Sequence, residues 1–365
     1  MAQSPVFDVA VVGAGPAGSA TALRLAQAGL RVALLEKSYF DQPRVGESLA
    51  PGVQPLLRNL GLWPDFCALQ PLPSFGMRSV WGSPEIHEHS HLLSAWQQGW
   101  HVDRTQFDRM LAEGASRAGV DVRLGMRVRT CDAGDHFRIQ SAAGSQELRA
   151  RFIVDATGRG ATLARTLRAR HAVFDRLVAV AAHFTDPAAG AECFTLVETT
   201  ADGWWYCAPV CDGRSVVMLM SDGDLVRTSR LADASAWENA LERTSAISKR
   251  LKHRGRAACW RTGMIPAISQ RLRRSPTSSR WLAVGDAALA VDPVSGSGVF
   301  RALQMADQAA ATILAGFPSN DGPLKEYEST LDADCTDYLV ERAHYYNLEQ
   351  RWQSPFWQRR VNRPS

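Results

Sequence analysis

The sequence predicts an α/β fold: a nucleotide-binding domain of strands and helices, a mostly antiparallel β-sheet inserted into it, and a helical C-terminal tail. Three observations carry this expectation. An apolar run of strand length, FDVAVV at 7–12, gives way to glycines at 13, 15 and 18 as helical spacing begins through Ala22, Leu25 and Ala26, the pattern of strand, tight turn and helix. Runs rich in β-formers, RLVAVAAHF, ECFTLVETT, GWWYCAPV and RSVVMLM, follow one another from about 170 to 222, with Asp-Gly turns at 202 and 212. The tail RAHYYNLEQRWQSPFWQRR at 342–360 sets apolar side chains between arginines.

The early turn is justified by its neighbours. Gly13, Gly15 and Gly18 let backbone approach a pyrophosphate at a helix N-terminus, where free amides and the helix dipole favour negative charge. RVALLE at 31–36 reads as the next strand, ending in Glu36, which stands where an acid accepts hydrogen bonds from a ribose. No second complete copy of the motif follows, so a single dinucleotide is expected, held throughout turnover. DASAWENALERTSAISKRL at 233–251 reads as one amphipathic helix.

Composition narrows the function classes. With 365 residues, 45% of them hydrophobic, the chain can bury one large core or two ordinary ones. There is no apolar stretch long enough to span a membrane, and MAQSPVFD lacks the regions of a signal peptide, so a cytoplasmic protein is expected. Seven cysteines, paired at metal-like spacing nowhere except a lone CxxxC at 207–211, read as buried or idle thiols in a reducing compartment, and no metal is expected. The net charge is +4, and only four of the 41 basic residues are lysines. Such an arginine bias reflects a GC-rich genome rather than nucleic-acid binding, and KRLKHRGR at 249–256 reads as a solvated helix end.

Further segments carry a resemblance. PRVGESLAP at 43–51, GWHVDRTQFDRMLAEGASRAG at 99–119, ARFIVDATGRGA at 150–161 and WLAVGDAALAVDPVSGSGVFRAL at 281–303 occur in the order and rough spacing seen in flavin-dependent monooxygenases and halogenases. The chain resembles that superfamily over most of its length. The resemblance implies a Rossmann-like FAD-binding domain, discontinuous over 1–62, 99–169 and 271–322. A substrate domain would span 63–98 and 170–270, its sheet covering the flavin, and a helical segment 323–365. Both glycine-rich turns would then serve one FAD, the early one its pyrophosphate and the late one its ring. The FAD contacts so implied are Gly13, Gly15, Pro16, Ala17 and Gly18 in the first turn and Glu36 and Lys37 after the second strand. Arg44, Ser48, Arg104, Val128, Asp155, Thr157 and Gly158 come from the middle segments. Gly285, Asp286, Pro293, Gly296, Ser297, Gly298 and Val299 come from the late strand and turn.

The reaction is narrowed by departures from the superfamily's patterns. Its halogenases carry a lysine after the GES segment, whereas ALQPLPSFGMRSVWGS at 68–83 contains none. DGWWYCAPVCDGR at 202–214 partly matches the halogenase Trp-x-Trp-x-Ile-Pro pattern, but Tyr206 and Ala208 replace its second tryptophan and its isoleucine. That stretch and the C-terminal tail look closer to flavoproteins that mature tryptophylquinone enzymes of the lysine ε-oxidase, glycine oxidase and quinohemoprotein amine dehydrogenase types. The resemblance implies a monooxygenase acting through a flavin C4a-hydroperoxide on an electron-rich ring, an indole or tryptophan, free or within a peptide or protein. Electrons would come from NAD(P)H or a separate flavin reductase. Trp81, Trp100, Trp204, Trp205 and Tyr206 are candidates for the substrate pocket, and Glu47 and His101 for proton handling. The alternatives are a halogenase with relocated groups, an oxidoreductase like the geranylgeranyl reductases, and a non-enzymatic flavoprotein that escorts a partner. The tail either docks on its own chain or meets a partner peptide.

Overall fold

The strand Val6–Val12 lies at the heart of a sheet because its residues are buried almost without interruption, as a strand covered on both faces requires. In the computed structural model, which describes residues 6–361 except 133, 143–146, 186–192, 212, 253–257, 274–279 and 318–319, this sheet has seven strands. Asp121–Arg123, Val32–Leu35, Val6–Val12 and Glu147–Asp155 run parallel in that order. Phe137–Ser141 and Val128–Asp132 continue it antiparallel, and Trp281–Ala283 runs parallel along the other end of Glu147–Asp155. Helices Pro16–Gln27 and Gly298–Gly316 pack together, tied by an Arg24–Asp307 ion pair at 2.6 Å.

A second seven-stranded sheet follows the order Ala258–Pro266, Leu177–Thr185, Arg214–Asp222, Gly203–Val210, Phe194–Thr200, Gly76–Val80, His87–Ser90. All its neighbours are antiparallel except Phe194–Thr200 with Gly76–Val80. Side chains alternate between its faces. Trp205, Cys207, Val217 and Leu219 meet the helices that carry Trp237 and Ile247, while Trp204, Ala208, Met218 and Met220 share the other face with the tail residues Tyr346, Phe356 and Trp357.

The segment expected as one helix over 233–251 forms two, Ala234–Glu242 and Ala246–Lys252. The break has a cause outside the segment. Buried Glu198, on the neighbouring sheet, accepts the amides of Ser245, Ala246 and Ile247 and so caps the second helix. The stretch 249–256 lies partly outside the described residues.

The tail docks on its own chain. Gly322–Leu348 forms a long helix and Pro355–Val361 a short one, with Phe356 and Trp357 fully buried. Arg360 and Arg359 both reach Asp222 of the second sheet at 2.8 Å.

Candidate active site

A cleft of about 840 Å³ is lined from both sheets, toward the upper end of small-molecule sites at roughly 300–1,000 Å³. The early turn forms part of its wall through Gly13, Gly15, Pro16 and Ala17. Two of the turn's glycines are required by packing: a Cβ on Gly13 would stand 2.2 Å from the Ala156 carbonyl oxygen, and one on Gly18 would stand 1.9 Å from that of Gly13. Gly18 therefore packs behind the cleft rather than lining it.

Glu36 is buried at the end of the second strand and organises the turn. Its Oε2 accepts the Ala14 amide at 2.8 Å, and its Oε1 accepts the Ser38 amide, the Ser38 hydroxyl and Arg44 at 3.1, 2.7 and 3.2 Å. A carboxylate offers about four lone-pair positions, so Oε2 keeps one to spare. Lys37, beside it, is exposed and lines the cleft.

Arg44 and Arg104 are held by a single buried acid, Asp108, which the sequence reading passed over. Arg44 Nη1 donates to Asp108 Oδ2 at 2.7 Å, and Arg104 Nε to Oδ1 at 3.1 Å. The i,i+4 spacing of Arg104 and Asp108 was the available signal. Arg104 also donates to the Val45 carbonyl at 3.0 Å, and a Cβ on Gly46 would sit 2.7 Å from its Nη1. The glycine of the GES segment thus makes room for the arginine. Arg44, Ser48, Arg104, Val128, Thr157 and Gly158 all line the cleft. Asp155 does not: buried, it accepts the Thr157 amide and hydroxyl and the Ala164 amide, holding the turn that does.

The late turn meets the early one. Gly285 has φ +62°, and a Cβ there would come 2.7 Å from that of Ala17. Asp286 faces the cleft, paired with Arg159 at 3.0 Å. Pro293, Gly296, Gly298 and Val299 line the same space, and Ser297 is the N-cap of the helix that follows.

Among the aromatic candidates, Tyr206 lines the cleft. Trp204 lies under the tail with its indole donating to Tyr346, and Trp81 packs edge-on against Tyr346 and Trp357. Trp205 points to the opposite face against Trp237, and Trp100 packs edge-on against Trp63 and Phe66 in the core of the first sheet. The apolar floor that the sequence reading missed is Ala179, Met218, Met220 and Ile265.

Glu47 is buried beside the lining residues Gly46 and Ser48. Its Oε2 accepts the Gly46 amide at 3.0 Å, its Oε1 has no hydrogen-bond partner among the described residues, and burial pushes its carboxyl up to about 7. His101 is fully buried, and desolvation pulls its imidazole down to about 3, so the ring is neutral. Burial pushes the Tyr206 phenol well up, keeping it protonated.

Two glycines test what the cleft could hold. A Cβ on Gly15 or on Gly298 would meet no heavy atom within 4 Å, and Gly15 has an ordinary φ of −74°. The chain's own packing therefore does not demand glycine at either place. Each opens or precedes a helix whose N-terminus has no side-chain cap, leaving free amides toward the cleft. The residues fit a dinucleotide with its phosphates at one helix terminus and its ring near the other.

The fold, with two helix termini on one cleft beneath a mostly antiparallel sheet, is that of the flavin monooxygenase and halogenase superfamily of oxidoreductases. The chain belongs to the FAD binding domain family, which matches residues 6–330. It is 30% identical to "Putative FAD-dependent oxidoreductase LodB" of Marinomonas mediterranea, over 97% of this chain and 96% of the relative. The structure is similar to that of CmlS, a flavin-dependent halogenase, with TM-score 0.87 and 26% identity, covering 100% of this chain and 69% of the other. It is also similar to the peptidyl tryptophan dihydroxylase QhpG, essential for tryptophylquinone cofactor biogenesis, with TM-score 0.78 and 27% identity over 99% of this chain and 80% of that one. Among the described residues no helix is long and apolar enough to cross a membrane, and no group of three or more His, Cys, Asp or Glu is placed to hold a metal.

Proposed function

We propose that the protein is an FAD-dependent monooxygenase that hydroxylates an electron-rich aromatic ring, the indole of a tryptophan within a peptide or protein. The observation that carries oxygenation over halogenation is the cleft's lysine content. Lys37 is the only lysine among the described residues lining it. It stands beside Glu36, at the nucleotide end, so the lysine expected of a halogenase near the GES segment has no counterpart. Similarity to QhpG, named a peptidyl tryptophan dihydroxylase, supports the substrate class. The TM-score of 0.87 to CmlS favours a halogenase as the second reading.

Bound and reduced, FAD supplies the activation of dioxygen, with electrons from NAD(P)H taken directly or through a separate flavin reductase. One oxygen atom enters a ring C–H bond and the other leaves as water. The chain's residues do the rest. Amides opening the helix Pro16–Gln27 would hold the pyrophosphate, the free acceptor position of Glu36 would take a ribose hydroxyl, and amides after Gly296 would stabilise charge on the flavin ring. Ala179, Met218, Met220 and Ile265 seat a flat ring and exclude water. The carboxyl of Glu47, poised near neutrality, holds or releases a proton beside Ser48, whereas neutral His101 serves to orient its neighbours.

Turnover of a tryptophan-containing peptide, with NAD(P)H, a flavin reductase and air, tests this in the presence and absence of chloride and bromide. An oxygenated peptide whose yield ignores halide is expected; a halogenated peptide would move the second reading to first place.

A further inference from the structure

Four polar side chains beside the cleft form one continuous hydrogen-bonded line. The Tyr206 hydroxyl lies 2.8 Å from Ser48 Oγ, Ser48 Oγ lies 2.8 Å from Thr195 Oγ1, and Thr195 Oγ1 lies 3.0 Å from His101 Nε2. Tyr206 and Ser48 line the cleft, while Thr195 and His101 are buried. Backbone pairing sets the spacing: Ser48 stands opposite His101 in one antiparallel pair, and Thr195 and Tyr206 lie on adjacent strands of the second sheet.

Each hydroxyl carries one proton, so such a line is polarised in one of two directions throughout its length. With Nε2 of His101 unprotonated, Thr195 donates to it, Ser48 donates to Thr195 and Tyr206 donates to Ser48. The phenol oxygen is then left to accept from the cleft. With the proton on Nε2, every bond reverses and Tyr206 presents its proton instead. Burial keeps both ends of the line uncharged, since the imidazole is neutral and the phenol protonated. Nδ1 of His101 meets no partner at hydrogen-bond geometry among the described residues, and the Pro73 backbone is the neighbouring group that favours a proton on the ring.

We propose that Ser48, Thr195 and His101 are positioning residues that fix Tyr206 as the acceptor for a substrate's ring N–H, with His101 holding its proton on Nδ1. This rests on the reading of the cleft as an indole site. The consequence is selectivity for aromatic rings that carry an N–H, because a buried acceptor left unpaired disfavours rings that lack one.

Two measurements on the FAD-loaded protein test this. In long-range proton–nitrogen correlation spectra of histidine-labelled protein, the His101 signals are those lost in His101→Gln. The Nδ1–H tautomer is expected in the wild type and in Thr195→Ser. The Nε2 shift should move in Thr195→Val and also in Tyr206→Phe, although Tyr206 bonds to Ser48 rather than to the ring. A proton on Nε2, or an Nε2 shift indifferent to Tyr206→Phe, would overturn the proposal. In calorimetric titration with indole and 1-methylindole as probes, Tyr206→Phe and Thr195→Val should weaken indole about tenfold, about 1.4 kcal/mol. Thr195→Ser should retain both the affinity and the preference for indole over 1-methylindole, whereas Tyr206→Phe and Thr195→Val should lose that preference. A wild type that binds the two probes equally well overturns the acceptor role of Tyr206. A wild type that binds neither overturns the indole reading of the cleft, and this use of the line with it.

Discussion

Tyr346 donates its phenolic proton to Asp292 Oδ2 at 2.8 Å and accepts the Trp204 indole N–H at 3.0 Å. One hydroxyl of the tail helix thereby ties the second sheet to the turn that leads into the late helix. Asp292 lines the cleft, is fully buried, and is pushed up by desolvation. Replacing Tyr346 by Phe leaves both partners short of a hydrogen bond. The expected loss is about 2 kcal/mol of stability, read from urea unfolding.

Trp357 is buried among Trp81, Tyr346 and Phe356, and its indole donates to the Thr200 carbonyl at 2.8 Å. Trp357→Ala should cost about 3–5 kcal/mol, with FAD bound per folded molecule unchanged. Thermal unfolding together with flavin absorbance checks this. A stable variant that had lost only its substrate would return the tail to a partner-binding role.

The early turn separates packing from ligand. Gly13→Ala and Gly18→Ala bring a Cβ to within 2.2 and 1.9 Å of main-chain oxygens and should destabilise the apoprotein. Gly15→Ala meets nothing within 4 Å, so the apoprotein's melting point should hold while FAD affinity falls. Flavin content after gel filtration and unfolding of the apoprotein supply the two readings.

Much of this was legible in the sequence, because strand, glycine turn and helix are local chemistry. The first turn, Glu36 and the runs that build the second sheet needed only short-range pattern. What escaped depends on register and on partners far along the chain. Trp204 and Trp205 are neighbours in sequence but face opposite sides of the sheet, and nothing local says which side is the cleft. Met218 and Met220 became the floor through pairing with other strands. The split of 233–251 was invisible because Glu198, its cause, lies 47 residues before Ser245. Whether the tail docked or met a partner was open until Phe356 and Trp357 were seen buried.

Glu47 gives the fold a pH dependence of definite sign. Its carboxyl is raised from 4.5 to about 7 by burial, so the folded state binds the proton more tightly. The contribution, on the order of 3 kcal/mol, is present in full below about pH 4.5 and is lost as pH rises through about 7. Glu47→Gln should flatten the fall in melting temperature across that window, and should also remove the corresponding ionisation from the pH–rate profile.

In the proposed reaction an oxygen atom from dioxygen enters an indole. Turnover of a tryptophan-containing peptide under labelled ¹⁸O₂, with reduced FAD supplied and halide present, followed by mass spectrometry of the peptide, tests it most directly. ¹⁸O is expected in the tryptophan side chain, and none in a control run under ordinary oxygen in labelled water. A side chain carrying chlorine or bromine, or one carrying oxygen drawn from water, would contradict it.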